Sequence, residues 1–390
     1  MIRVLDGLKV VEQGTFITGP ACGMLLGDLG ADVVKVEQPG TGDPFRAFQN
    51  GLYSPHFQTY NRNKRSIALD PKNDDDRDVL DALVEDADVY IQNFRPGVAD
   101  KLGVGAARLR ALNPKLVYCS ISGFGSSGPA ANRPAYDTVA QAASGFLGLL
   151  VNPENPRVVG PAIADALTGY YAAYGILGAL FERSRTGSGR MVEVSMLEAM
   201  AHFNLDAFTH WFQKGEVMGP YSRPRVSQSY VLECGDGKWI ALHMSSPEKF
   251  WQGLAEAIEQ PQLFADARFA TRDARIANHE ALIALLGARF RGRSRAEWCE
   301  RLEQRDVPHA PMYDPSEALA DPQALHLELT AAAEHPAMGL FRTVRSPVTF
   351  DGERALHVRP PPTLGEHDEE IRRTAAARRA KTTAPPPNTP

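Results

Sequence analysis

The chain has 390 residues, 43 % hydrophobic and 23 % charged, with a formal net charge of −5 and a pI near 6.1. This length calls for about two domains, and the mild acidity excludes a general attraction to nucleic acid or anionic membrane, so any anion site must be a local cluster. The four cysteines, Cys22, Cys119, Cys234 and Cys299, are scattered without a zinc or redox spacing, and no run of about 18 apolar residues occurs. We therefore expect reduced thiols, a cytoplasmic location, and no membrane or nucleic-acid partner.

Taken in order, short β-branched runs at Lys9–Glu12, Val33–Glu37, Ser66–Leu69, Val89–Asn93 and Leu116–Ser120 alternate with stretches suited to helices, among them Ala21–Leu29 and Asp74–Asp86. The alternation predicts βαβ units on a parallel sheet, whose strand ends are where open α/β folds bind ligands. A longer helix follows Asp165, with Leu167, Tyr170, Tyr171, Tyr174, Leu177, Leu180 and Phe181 at three-and-four spacing, closed by Gly187 and Gly189. Val192, Val194 and Met196 then alternate as a strand. On local pattern alone, Asp165 stands just before its helix as an N-cap.

Composition changes after Trp211. Residues 214–229 have the Gly, Pro and Ser content of a linker. Residues 230–325 read as a smaller α+β domain, opening with a hairpin at Cys234–Gly237 and continuing in helices from about Glu248 to Arg305. Residues 1–213 and 326–373 then form a large α/β domain from both chain ends, and 374–390, ending in TTAPPPNTP, reads as a disordered tail.

Three clusters bear on chemistry. Arg62, Lys64, Arg65 and Lys72 flank an apolar strand, either as guards of a sheet edge or as an anion site. Asn93, Phe94 and Arg95 at a strand's end suit a nucleotide and its phosphates, although a buried Phe and a Pro-Gly turn account for part of the run. Gly14, Gly19 and Gly23 do not make G-x-G-x-x-G, which argues against a nicotinamide-dependent oxidoreductase.

These segments together resemble CoA-transferase family III, the CaiB/BaiF type. The resemblance rests on Leu5-Asp6-Gly7, Gly19-Pro20, Leu29 to Glu37, the Asn61-to-Asp70 run, Asn93 to Gly97, Ser122 to Pro129, Arg133 to Asp137, the Asp165-to-Glu198 signature and Leu364 to His367. It implies a Rossmann-like parallel sheet, a smaller α+β domain and an interlocked homodimer. By the same resemblance Asp165 is the catalytic nucleophile, and Leu69, Lys72, Asn93, Phe94, Arg95, Lys101, Tyr136 and Asp137 border CoA. The implied substrates are an acyl-CoA and a small carboxylic acid, with no prosthetic group. The implied mechanism passes through an aspartyl anhydride and an aspartyl-CoA thioester, the helix N-terminus keeping Asp165 ionised and favouring the oxyanion.

Two alternatives are weighed. A 2-methylacyl-CoA racemase resembles the same superfamily but carries a His before the Asp of the Tyr136-Asp137 pair, and a phenol is a poor base at neutral pH. A non-catalytic acyl-CoA-binding protein would bind CoA without turnover. The chain also departs from characterised members in having Ile17 where some carry Gln, and Val226-Ser227-Gln228-Ser229 where some carry a glycine-rich lid.

Overall fold

The computed structural model describes residues 3–49, 51–245, 248–354 and 358–383. The chain folds as two compact units, one of residues 1–147, 158–205 and 330–390, the other of residues 148–157 and 206–329.

The larger unit is built on six parallel strands: β1 (Lys9–Gln13), β2 (Asp32–Glu37), β3 (Lys64–Ala68), β4 (Val89–Gln92), β5 (Val117–Ser122) and β6 (Met191–Ser195). Their order is β3-β2-β1-β4-β5-β6, so the direction of progression reverses between β1 and β4. At that switch point the loops leaving β1 and β4 part to opposite sides and open a crevice at the carboxyl ends. Adjacent residues in each strand feed opposite faces. Val10, Val33, Val89 and Cys119 pack under α1 (Thr18–Asp28) and the long helix α4 (Ile163–Thr186), while Val11, Val34, Tyr90 and Tyr118 pack under α2 (Asp74–Glu85) and α6 (Asp368–Thr383). Helices α3 (Asp137–Ala143) and α5 (Met196–Phe203) pack with the start of α4 through Ala140, Ala164, Met196 and Met200. Helices α1 and α4 meet closely at Gly169, where a β-carbon would stand 2.8 Å from Ala21 Cβ and 2.9 Å from Thr18 O. That closeness brings the start of α4 up to the loop before α1.

The end of the chain closes the outer edge of the sheet. His367 N–H donates to Ser66 O at 3.0 Å, Ala68 N–H to Asp368 Oδ1 at 2.8 Å, and Arg372 to Ala68 O at 3.0 Å. Beyond it, residues 374–383 are helical where the sequence suggests a disordered tail. In the helix that contains them Ile371 and Ala375 are buried, and Arg372, Arg378 and Arg379 pair with Asp76, Asp86 and Asp78. Those acids come from α2 and the residue that follows it, some 300 residues earlier, which composition cannot reveal. Residues 384–390 of the expected tail lie outside the described residues.

The smaller unit holds a three-stranded antiparallel sheet of Ser229–Glu233, Trp239–His243 and His309–Pro311. The hairpin at Cys234–Gly237 forms as the sequence indicates, with Cys234 N–H bonded to Lys238 O and Gly237 at φ +72°. Helices over Glu248–Ala257, His279–Phe290 and Arg295–Glu303 cover one sheet face around Trp251, Leu286, Phe290 and Trp298. The expected linker 214–229 is part of this unit. It contains a helical turn, Ser222–Ser227, held because Arg225 donates to Ile276 O and Arg272 to Val226 O. Among the described residues no helix is long and apolar enough to cross a membrane.

Candidate active site

Helix α4 begins at Ile163, two residues before Asp165, and its flanking residue Ala162 has no side chain to accept a bond. The carboxylate of Asp137 does this instead, reaching across from the start of α3. Its Oδ1 accepts from Ala164 N–H at 2.8 Å and Asp165 N–H at 3.3 Å, while Oδ2 accepts from Gln141 Nε2 at 2.6 Å. The capping role read for Asp165 therefore belongs to Asp137. The side chain of Asp165, freed from that duty, makes no hydrogen bond or ion pair among the described residues.

Its electrostatics also differ from the sequence reading. Burial, and then the nearby Asp137 charge, push the Asp165 carboxyl from 3.8 up to about 7. The first-turn amides are occupied by Asp137, so they neither hold Asp165 ionised nor form an oxyanion hole. The phenol of Tyr60, which sequence reasoning did not single out, is raised by burial and then by Asp165 and Asp137, which places it within their field.

Asp165 faces a cleft of about 180 Å³. Thr15 to Thr18 from the loop between β1 and α1 form one wall, Asn93 to Pro96 another, and Arg133, Ala135, Tyr136 and Met196 complete it. Phe16 meets Tyr136 edge-on at 5.9 Å between centroids and Phe45 at 5.3 Å. Arg95 and Arg133 are exposed and have no carboxylate partner among the described residues; Arg133 lies over the Phe124 ring. A larger cleft of about 650 Å³ opens beyond Phe94, Arg95, Pro96 and Ser122, which line both, and continues past Ser126, Glu193 and Glu198. Both clefts lie at the carboxyl ends of the strands, and the Asp165 cleft takes in the loops leaving β1 and β4 at the switch point.

The structure thus brings Asn93, Phe94, Arg95, Tyr136 and Asp165 to one cleft, with Asp137 bonded to the backbone of α4 beside it. Leu69, Lys72 and Lys101 line neither cleft. Leu69 is buried at the end of β3, Lys72 is exposed in the following turn, and Lys101 is exposed in a helical turn after β4. The basic cluster is largely consumed internally. Arg62 pairs with Asp28 at 2.6 Å, Lys64 with Glu12 at 2.6 Å, and Arg65 with Asp32 at 2.6 Å and Glu370 at 3.2 Å, leaving Lys72 without a carboxylate among the described residues. The anion-site reading of Arg62, Lys64 and Arg65 is corrected accordingly: a guanidinium or ammonium already neutralised at this distance has little field left for a ligand.

Beneath the cleft lies a group of buried charges that sequence reasoning missed. Lys35 Nζ contacts Glu12 at 2.9 Å and Asp43 at 3.0 Å, Lys64 contacts the other oxygen of Glu12, and Arg46 holds Glu37 through two bonds of 2.7 Å. Lys64 is pulled down to about 8 by burial, opposed by Glu12. A usable signal existed, for β1, β2 and β3 each carry two or three charges along strands that are largely buried, and parallel register sets Glu12 beside Lys35.

Comparison with known proteins agrees over nearly the whole chain. The sequence pattern of CoA-transferase family III matches residues 5–368. Acetyl-CoA:oxalate CoA-transferase of Acetobacter aceti is 34 % identical over 392 residues, covering 96 % of this chain and 97 % of that protein. Succinyl-CoA:glutarate CoA-transferase of Homo sapiens is 30 % identical over 386 residues, covering 95 % and 85 %. The crystal structure of a CAIB/BAIF family protein from Brucella suis is 33 % identical with a TM-score of 0.85, covering 96 % of this chain and all of that one.

Proposed function

The chain belongs to CoA-transferase family III and has the activity of a CoA-transferase, and from that premise we propose that Asp165 is its nucleophile, carrying CoA from an acyl-CoA donor to a small carboxylic acid. The observation that supports this reading most is the Asp165 carboxylate itself: half-buried, unpaired, and facing a cleft at the switch point of the sheet.

In the proposed reaction an Asp165 oxygen attacks the thioester carbonyl. The C–S bond breaks and the electron pair leaves with CoA thiolate, giving a mixed anhydride. The thiolate then attacks the aspartyl carbonyl carbon, which releases the donor acid as carboxylate and leaves an aspartyl-CoA thioester. An incoming carboxylate repeats these steps in reverse, returning Asp165 and a new acyl-CoA. No net proton is taken up or lost. Phe94 and Arg95 on the dividing wall, with Leu69, Lys72 and Lys101 farther along the same edge of the sheet, are the proposed contacts to CoA, and Tyr136 bounds the acyl group. Arg133, exposed in the Asp165 cleft without a carboxylate partner, favours an acid bearing a second carboxylate, as oxalate and glutarate in the names of the relatives do.

Asp165→Ala tests the reading. Transfer should fall to background across a panel of acyl-CoA donors with mono- and dicarboxylic acids, while CoA still binds. In the native protein, a CoA-sized mass should appear on the peptide containing Asp165 after incubation with donor. An Asp165→Ala protein with native turnover would end the proposal.

A further inference from the structure

The loop that walls the cleft opposite Asp165 is short, and its conformation is unfavourable on its own. Phe16 adopts φ +60°, in the left-handed region that a residue with a β-carbon enters at a cost. The two ends of the loop also nearly touch: a β-carbon on Gly14 would stand 3.0 Å from Gly19 Cα. Such a shape persists only where its surroundings hold it.

Asn93 supplies much of that hold. Its Oδ1 accepts from Thr15 N–H at 2.9 Å, and its Nδ2 donates to Thr15 O at 2.8 Å and to Thr18 Oγ1 at 2.9 Å. The amide thus imitates a paired strand across Thr15 and ties in the first residue of α1. Both of its N–H donors are used, and only one lone pair of Oδ1 is left for anything else. The buried charges complete the grip: Lys35 Nζ donates to Gly14 O at 2.7 Å, and Asp43 Oδ1 accepts from Phe16 N–H at 3.2 Å.

We infer that the Asn93 side chain acts in positioning rather than as a hydrogen-bond donor to CoA: through Thr15 and Thr18 it fixes the loop that sets Phe16 and Ile17 in the Asp165 cleft. The neighbouring Phe94 and Arg95 face the clefts, whereas the Asn93 amide is turned into the protein's own backbone. The kinetic part of this inference rests on Asp165 as nucleophile; the structural part does not.

Asn93→Ala and the near-isosteric Thr18→Val, which removes the one hydroxyl that accepts from Asn93, form the test. Loss of positioning should lower kcat by roughly tenfold or more in Asn93→Ala and by a smaller factor in Thr18→Val. CoA affinity by calorimetry should stay within about threefold, since the amide's donors are not available to it. Amide exchange of the peptide holding Thr15 and Phe16 should quicken by roughly tenfold or more in Asn93→Ala, while peptides of β1 and α4 keep their protection. CoA affinity weakened beyond that bound, exchange unchanged at Thr15, or kcat unchanged in both variants would overturn the inference. Should Asn93→Ala fail to fold, Thr18→Val decides it by the same readings. Asp165→Ala should retain native exchange at Thr15, so failure of the nucleophile assignment and failure of this one give different patterns.

Discussion

Replacing Asp137 by Asn probes the electrostatics of the proposed nucleophile while sparing the helix that carries it. Asn keeps an oxygen for the amides of Ala164 and Asp165. Its new N–H donors meet Gln141, whose Oε1 is buried without a partner and can turn to accept one. What changes is the charge. Asp165 is raised from 3.8 to about 7 by burial first and Asp137 second, so Asp137 accounts for less than half of that climb. In the native protein the acid limb of kcat/KM should therefore lie near pH 7, with about a tenth of maximal activity at pH 6. In Asp137→Asn the limb should move down by about 1 pH, raising activity at pH 6 about fivefold at an unchanged plateau. Initial rates at subsaturating acyl-CoA from pH 5 to 9, with CoA affinity followed over the same range, measure this. A native limb near pH 4, or an Asp137→Asn limb that stays in place or rises, would refute the electrostatic reasoning.

Two further outcomes concern the carboxylates of Asp165 and Glu37. A carboxyl raised in the folded state contributes stability in full below its unfolded value, near 3.8, and loses it as pH rises through about 7. Asp165→Asn, uncharged throughout, should then gain stability over the native protein at pH 8 and not at pH 4, by on the order of 2 kcal/mol after screening by solvent, read from thermal melts at the two pH values. Arg46→Met would strand the buried Glu37 carboxylate, whose two oxygens Arg46 holds; a loss of about 3–5 kcal/mol in urea unfolding is expected, and a loss under 1 kcal/mol would count against a tightly coupled pair.

Much of the sheet was legible because strands buried on both faces show as continuous β-branched runs, and β1, β2 and β4 appear within a residue or so of their expected spans. Asp165 was singled out through resemblance and lines the cleft, yet its local role was misread. A cap is chosen in space, and Asp137 lies 28 residues from Asp165. The misreading of Arg62, Lys64 and Arg65 has a similar cause. Each cation lies within two residues of another cation, but its neutralising acid sits on another element, at Asp28, Glu12 or Asp32. The helical tail was missed because one buried residue, Ala375, is too little to outweigh its composition. Asn93 was found for the right reason of place, at a strand end beside the cleft, although the sequence could not show which way its amide is spent.

The clasp of His367, Asp368 and Arg372 on β3 bears on how the protein is made. A ribosome delivers β3 early and its clasp late, with 300 residues separating Ala68 from Asp368. At about 5–20 residues per second this interval lasts roughly 15–60 s. Throughout it the outer strand of the nascent sheet presents bare amides and carbonyls to whatever else is nearby, as an open edge does. The residues of the smaller unit from 206 to 329 are synthesised within that interval as one unbroken stretch, able to collapse while the larger unit still lacks its final piece. Synthesis of this chain therefore leaves the edge of β3 open to wrong pairing for as long as the smaller unit is being made, and the helix that starts at Asp368 is what closes it.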